Sequence, residues 1–144
     1  MFKRILVPLE HTPTDDTILD YLRPLAREAR ASLVLIHVAD GWVARNIQQL
    51  DLRESEEMKD DFAYLDRVCE ELRREGFNVE AVLAAGDPAK EIAAAAERER
   101  CDLIAMATHG HRLLADVVRG SVASEVRHIS MVPVLMVRAG KPKA

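Results

Sequence analysis

Aromatic side chains are scarce in this sequence: Phe, Tyr and Trp make up 4% of its 144 residues. Any core must therefore rest on Leu, Val, Ile and Ala. Cysteine is equally sparse. Cys69 and Cys101 lack CxxC spacing, which argues against a stapled scaffold or a thiolate metal cluster. They read as two free thiols in a reducing cytoplasm. An excess of positive charge is also missing. The formal net charge is −4, which argues against nucleic acid or an anionic membrane as the main partner. No apolar run approaches the roughly 20 residues of a membrane span. Met1 to Pro8 holds no secretory apolar stretch and runs straight into a strand-like segment. The expectation is a cytoplasmic protein without membrane insertion. No repeat, low-complexity tract or linker divides the chain, so residues 1–144 read as a single domain.

What is present is ordinary for a globular protein: 49% hydrophobic and 31% charged residues. The patterns alternate along the chain. Lys3 to Leu9 reads as a strand, apolar on both faces and stopped near Pro8. A helix follows to about residue 30. Thr12 or Thr14 is its expected cap, Pro13 lies in its first turn, and Asp15 and Asp16 favour its N-terminus. Pro24 should kink it or sit where a bend is tolerated. Ser32 to Val38 is a second strand, and residues 43–53 are illegible. From Glu54 to Glu75 the spacing predicts a helix with Met58, Phe62, Leu65, Val68, Cys69 and Leu72 as its apolar stripe. Gly76 ends it. Asn78 to Ala84 alternates like a strand near a sheet edge. Asp87 and Pro88 then start an Ala-rich helix as N-cap and first residue. Asp102 to Ala107 is the fourth strand, Gly120 to about Ser130 the last helix, and Val132 to Val137 the last strand.

This order predicts the α/β class: an open, doubly wound, five-stranded parallel sheet with helices on both faces. Ligands of such sheets sit at the carboxyl ends of the strands, where the strand order reverses. The segment from Leu103 to Ser124 suits an anion there. A buried strand leads through Gly110, Arg112 and Arg119 to Gly120-Ser121, read as a helix start whose N–H groups are free for phosphate. The bland readings are a turn at Gly110, a cap at Ser121 and solvated arginines. His109 and His111 flank Gly110 but have no third ligand, so no resident metal is assigned. Glu10 and Asp40 are carboxylates able to face Mg²⁺ carried by a triphosphate. His37, inside an apolar strand, reads as a satisfied core histidine. The chain lacks a Walker-type Gly-Lys-Ser/Thr, a Gly-x-Ser-x-Gly elbow and a Ser/His/Asp set, so no enzyme is expected.

The chain resembles the universal stress protein family over nearly its whole length. The resemblance is carried by the strands Lys3 to Pro8 and Leu33 to Val38, by Gly86-Asp87-Pro88, and by Asp102-Leu103-Ile104. His109-Gly110, Gly120-Ser121-Val122 and the strand Val132 to Val137 complete it. The ATP-binding branch of that family has glycine, two residues, glycine, nine residues, then glycine with Ser or Thr. Gly110 and Gly120-Ser121 match at that spacing, and Ala107 stands at the first glycine. Glu10 stands where relatives usually carry Asp.

The resemblance implies strand order 3-2-1-4-5 and a stress-response regulatory protein binding ATP or another adenine nucleotide. It places Pro8, Leu9 and Glu10 on the adenosine side and the Val38 backbone at the base. Ala107, His109, Gly110, His111, Arg112, Arg119, Gly120, Ser121 and Val122 would surround the phosphates. It also implies a homodimer through Val132 to Val137, an apolar edge strand bearing Pro133. The departures at Ala107 and Glu10 favour the alternative, a dimeric interaction module of the same fold that docks on a partner protein without nucleotide. Slow ATP hydrolysis is a third reading, with no residue in the sequence to act as base.

Overall fold

The computed structural model describes residues 2–40, 52–108 and 114–139. Five strands, β1 (Arg4–Pro8), β2 (Ser32–Asp40), β3 (Val79–Gly86), β4 (Leu103–Thr108) and β5 (Val134–Arg138), form one parallel sheet. Among the described residues, four helices connect or follow them: α1 (Thr14–Ala29), α2 (Leu52–Arg74), α3 (Pro88–Arg98) and α4 (Leu114–Ile129). The strand order is β3-β2-β1-β4-β5, as expected.

Alternation along each central strand divides the protein into two cores. Ile5, Val7 and Leu9 of the β1 segment join Leu33 and Leu35 of β2 beneath α1 and α2. Leu6, Val34 and Ile36 face the other way, under α3 and α4. Ile5, Leu6 and Val7 are wholly buried, which is why β1 is apolar without interruption. On α2, the expected stripe holds at Leu65, Val68, Cys69 and Leu72. Phe62 departs from it and is exposed. Both cysteines are free and buried, and burial pushes the Cys101 thiol up to about 11, so neither is poised to react.

Three helix ends close the same way. Phe77 N–H reaches Leu72 O and Gly76 N–H reaches Arg73 O, with Gly76 at φ +100°. This is the 6→1 and 5→2 pair that satisfies orphan carbonyls. Arg30 and Arg100 hold the equivalent positions after α1 and α3 at φ 54° and 56°, where glycine would avoid a steric cost of roughly 1–2 kcal/mol.

Several boundaries differ from expectation. β2 runs two residues further, to Asp40, because β3 pairs with it as far as Asp40↔Gly86. β5 starts at Val134, so Pro133 precedes the strand, and its carbonyl accepts from Ile104 N–H. The expected threonine cap of α1 is absent: Pro13 holds the N-cap position, and Thr12 Oγ1 is buried with no hydrogen-bond partner among the described residues. Pro24 lies on the exposed side of α1, where the carbonyl it leaves unpaired can meet water. Asp87 does cap α3, accepting from Lys90 N–H at 3.1 Å, and Pro88 is its first residue. The largest correction concerns α4. It starts at Leu114, not at Gly120, because residues 114–119 continue one helical turn pattern into the glycine, which weakens a helix interior without ending it.

The lower end of the sheet is held by Asp102. Its carboxylate accepts N–H bonds from Lys3 at 2.9 and 3.1 Å and from Arg4 at 3.1 Å. Burial by itself would raise its pKa, but these N–H bonds outweigh burial and hold the carboxyl below its ordinary value. A depressed pKa stabilises the fold above the unfolded value of about 3.9, and the contribution is lost as pH falls through the folded value. Denaturant unfolding at pH 7 and pH 3 checks this. The Asp102→Asn protein should lose less stability over that interval than the parent; equal losses would contradict it.

Candidate functional site

The site begins with a backbone bond that cannot form. Ser32 N–H bonds Lys3 O and Leu9 N–H bonds Ile36 O, so the odd-numbered residues of the β1 segment face β2. Asp102 N–H bonds Arg4 O, so the even-numbered ones face β4. Pro8 is even-numbered and has no N–H to offer. The paired residues agree. β1 matches β2 over five positions to Pro8↔Ile36, but matches β4 only at Ile5↔Leu103 and Leu6↔Ile104. Beyond Leu6 the two strands part at their carboxyl ends, at the reversal of strand order.

A cavity of about 450 Å³ lies in that gap. Pro8, Leu9, Glu10, Val38, Ala107 and Val122, all expected site residues, line it. His109, Gly110, His111 and Arg112 fall outside the described residues. Arg119, Gly120 and Ser121 are described by backbone alone, on the helix turn just before the lining residues Val122 and Ala123. With α4 starting at Leu114, the N–H groups of Gly120 and Ser121 lie in the helix interior and are not the free ones of a first turn. Ala107 does not take positive φ: it sits in β4, in register with Val137, and packs against the α1–α2 core. The methyl group that replaces the expected glycine hydrogen therefore strains no backbone.

The structure adds residues that sequence reasoning missed. Ile36 and Met106 form apolar walls beside the expected Val38 and Ala107, and Pro88 and Ile92 close the side from α3. Strand alternation could have marked the first two. Nothing in the local pattern of α3 pointed to the cavity.

Asp15 was read only as a favourable charge at a helix start. It is instead 2% exposed and lines the cavity. Its carboxylate accepts from Glu10 N–H at 2.8 Å, His11 N–H at 2.9 Å and the Tyr64 hydroxyl at 2.6 Å. Burial first, and then the bond to Asp15, hold the Tyr64 phenol well above its ordinary pKa, so it remains a donor. The His11 ring stacks on Tyr64 with centroids 4.0 Å apart, and His11 itself is held at φ 65°. His37 is satisfied, as expected, though it also lines the cavity. Its Nδ1 lies 2.9 Å from Leu9 O and its Nε2 lies 3.2 Å from Asp61 Oδ2.

The loop after β1 is thus held from α1, α2 and β2 at once. Its walls are apolar and its polar groups few, an arrangement suited to a flat, partly apolar ligand. Among the described residues no group of three His, Cys, Asp or Glu is arranged for a metal ion, and no helix is long and apolar enough to cross a membrane.

Replacing Asp15 tests how far the loop depends on it. Asp15→Ala leaves two backbone N–H groups and a phenol without their acceptor. At about 1–3 kcal/mol for such losses, urea unfolding should show destabilisation of about 3 kcal/mol. A loss below about 0.5 kcal/mol would mean the loop is held without it.

Comparison with known proteins agrees with this architecture. The model of the universal stress protein family matches residues 1–138. Universal stress protein MJ0577 of Methanocaldococcus jannaschii is 27% identical, with 96% of each chain covered. The solved structure of MJ0577 has a TM-score of 0.84 to this chain and covers 99% of both. Universal stress protein YxiE of Bacillus subtilis is 29% identical over 96% of this chain and its own full length. The universal stress protein of Archaeoglobus fulgidus in complex with dAMP shares the fold at 18% identity and a TM-score of 0.70, covering 94% of this chain and 97% of its own. This chain belongs to the universal stress protein family.

Proposed function

We propose that this chain binds an adenine nucleotide in the cavity between the carboxyl ends of β1 and β4, and works as a stress-response regulatory protein of the cytoplasm rather than as an enzyme. The observation that carries the reading is the convergence of Pro8, Leu9, Glu10, Val38, Ala107 and Val122, from four separate segments, on one mostly apolar cavity. The dAMP complex of the Archaeoglobus fulgidus relative supports the ligand class.

In this reading the base lies between the apolar walls, with the Val38 backbone at its edge and Glu10 toward the ribose. The phosphates run toward His109, Gly110, His111, Arg112, Arg119, Gly120, Ser121 and Val122. Glu10 is also the carboxylate on the cavity wall that can face a Mg²⁺ carried by ATP.

The same reading includes a homodimer through β5. Leu135 and Met136 on that edge strand are each 38% exposed, and Met131 just before it is 94% exposed. A second copy would cover an apolar edge that a lone sheet leaves open. The alternative, an interaction module that docks on a partner protein without nucleotide, draws on the same exposed edge.

Ala107 separates the two readings. Its negative φ and core packing remove the conformational reason for glycine. Isothermal titration with ATP and AMP should therefore show saturable binding by the parent protein, and Ala107→Gly should change the affinity by less than about threefold, on the order of 0.6 kcal/mol. Saturable binding in the glycine variant alone would favour the interaction module. Absence of binding in both at millimolar nucleotide would end the nucleotide reading.

A further inference from the structure

At Thr12 the loop after β1 leaves a polar group unanswered. The Thr12 carbonyl accepts from Asp15 N–H at 3.0 Å. Its hydroxyl caps nothing: Oγ1 is shut from water and has no hydrogen-bond partner among the described residues. A buried hydroxyl in that state costs free energy that a Val of the same shape would not. α1 does not use it, because Pro13 holds the N-cap position and no side chain caps the helix. Yet Thr12 lines the cavity between β1 and β4.

The other donors of this loop are already committed. Pro8 has no N–H. Leu9 N–H is spent on Ile36 O at 2.8 Å. Glu10 N–H and His11 N–H are both spent on Asp15, at 2.8 and 2.9 Å. The Glu10 and Asp15 side chains on the cavity wall end in carboxylates, and an ionised carboxylate only accepts. Among the described residues no lysine or arginine lines the cavity. From residue 8 to residue 11 no backbone N–H is left for a ligand, and the Thr12 hydroxyl is a donor the loop still holds. Threonine carries Oγ1 and a methyl group on one Cβ, so a turn about Cα–Cβ exchanges their positions.

We propose that Thr12 is a specificity-determining contact of the cavity: its hydroxyl donates to an oxygen of the bound nucleotide, on the ribose or on the phosphates. A surface hydroxyl that meets a ligand gives up a water for it, and the exchange gains little. Thr12 Oγ1 has already lost its water in folding, so a bond to the ligand replaces nothing and counts more fully. The acceptor carboxylates of Glu10 and Asp15 cannot serve a ligand oxygen that carries no hydrogen, whereas the Thr12 hydroxyl can. The inference rests on the nucleotide reading for its ligand.

Two variants test it. Thr12→Val removes the hydroxyl and keeps the β-branched shape, and Thr12→Ser keeps the hydroxyl. Binding of ATP and of adenosine is measured by isothermal titration, and the stability of the ligand-free proteins by urea unfolding. Thr12→Val should weaken ATP binding about tenfold, while Thr12→Ser stays within about threefold of the parent. The urea midpoint of Thr12→Val should be no lower than the parent's, since the hydroxyl it loses had no partner. A purely structural hydroxyl would give the opposite pair of results, a lower midpoint with binding kept. A loss shared by ATP and adenosine puts the acceptor oxygen on the ribose; a loss for ATP alone puts it on the phosphates. The proposal is overturned if the parent binds and Thr12→Val binds within about twofold of it. A lower urea midpoint in Thr12→Val, or a serine variant as weak as the valine one, also overturns it. If the parent binds neither ATP nor adenosine, the nucleotide reading itself has failed and the proposal falls with it.

Discussion

The architecture of the site depends on the missing amide hydrogen of Pro8. β1 is the strand where the sheet reverses direction of growth, and it is bonded on both edges at its start. On one edge it stays with β2 through the Leu9 N–H to Ile36 O bond. On the other its pairing with β4 stops at Leu6↔Ile104. A strand that could donate from residue 8 would have one more bond available toward β4. The cavity is the space this asymmetry leaves, and it lies where the carboxyl ends of β1, β2 and β4 meet.

An open gap would be of little use if its rim moved. Among the described residues the segment Leu9 to His11 has no strand partner on the β4 side, and side chains take over. Asp15 holds two of its amides from α1, Tyr64 holds Asp15 from α2, and Asp61 with His37 holds Leu9 O from α2 and β2. Each of these groups is polar and at least partly withdrawn from water, where an unmade hydrogen bond costs more than a made one returns. The rim is therefore fixed by side chains from three elements at once. Asp102 does the corresponding work at the opposite end of β1, so the central strand is held at both ends by carboxylates binding backbone N–H groups.

Most of the fold was legible because it depends on short-range patterns. The run Ile5 to Val7 announced a strand buried on both faces, Gly76 a helix end and Asp87-Pro88 a helix start. The strand order 3-2-1-4-5 came with the family resemblance and not from periodicity. The site was legible where strand ends supply it, at Pro8, Leu9, Glu10, Val38 and Ala107. It was hidden where contacts span long separations. Asp15 meets Tyr64 across 49 positions and His11 meets Asp61 across 50, and no local rule links them. Asp15 obeyed the helix-dipole rule and so concealed its role as a loop anchor. Gly120 misled in the opposite sense. A glycine followed by serine looks like a helix start, but the helix had begun six residues earlier, at Leu114.

The central claim is that an adenine nucleotide occupies the gap between β1 and β4. Backbone amide spectra of ¹⁵N-labelled protein, recorded as ATP is added, test it most directly. The account predicts saturable shifts at Leu9, Glu10, Val38, Ala107 and Val122, with residues at the far end of the sheet, such as Lys3 and Asn78, unmoved. Shifts confined to β5, or none at any of the five positions, would contradict it.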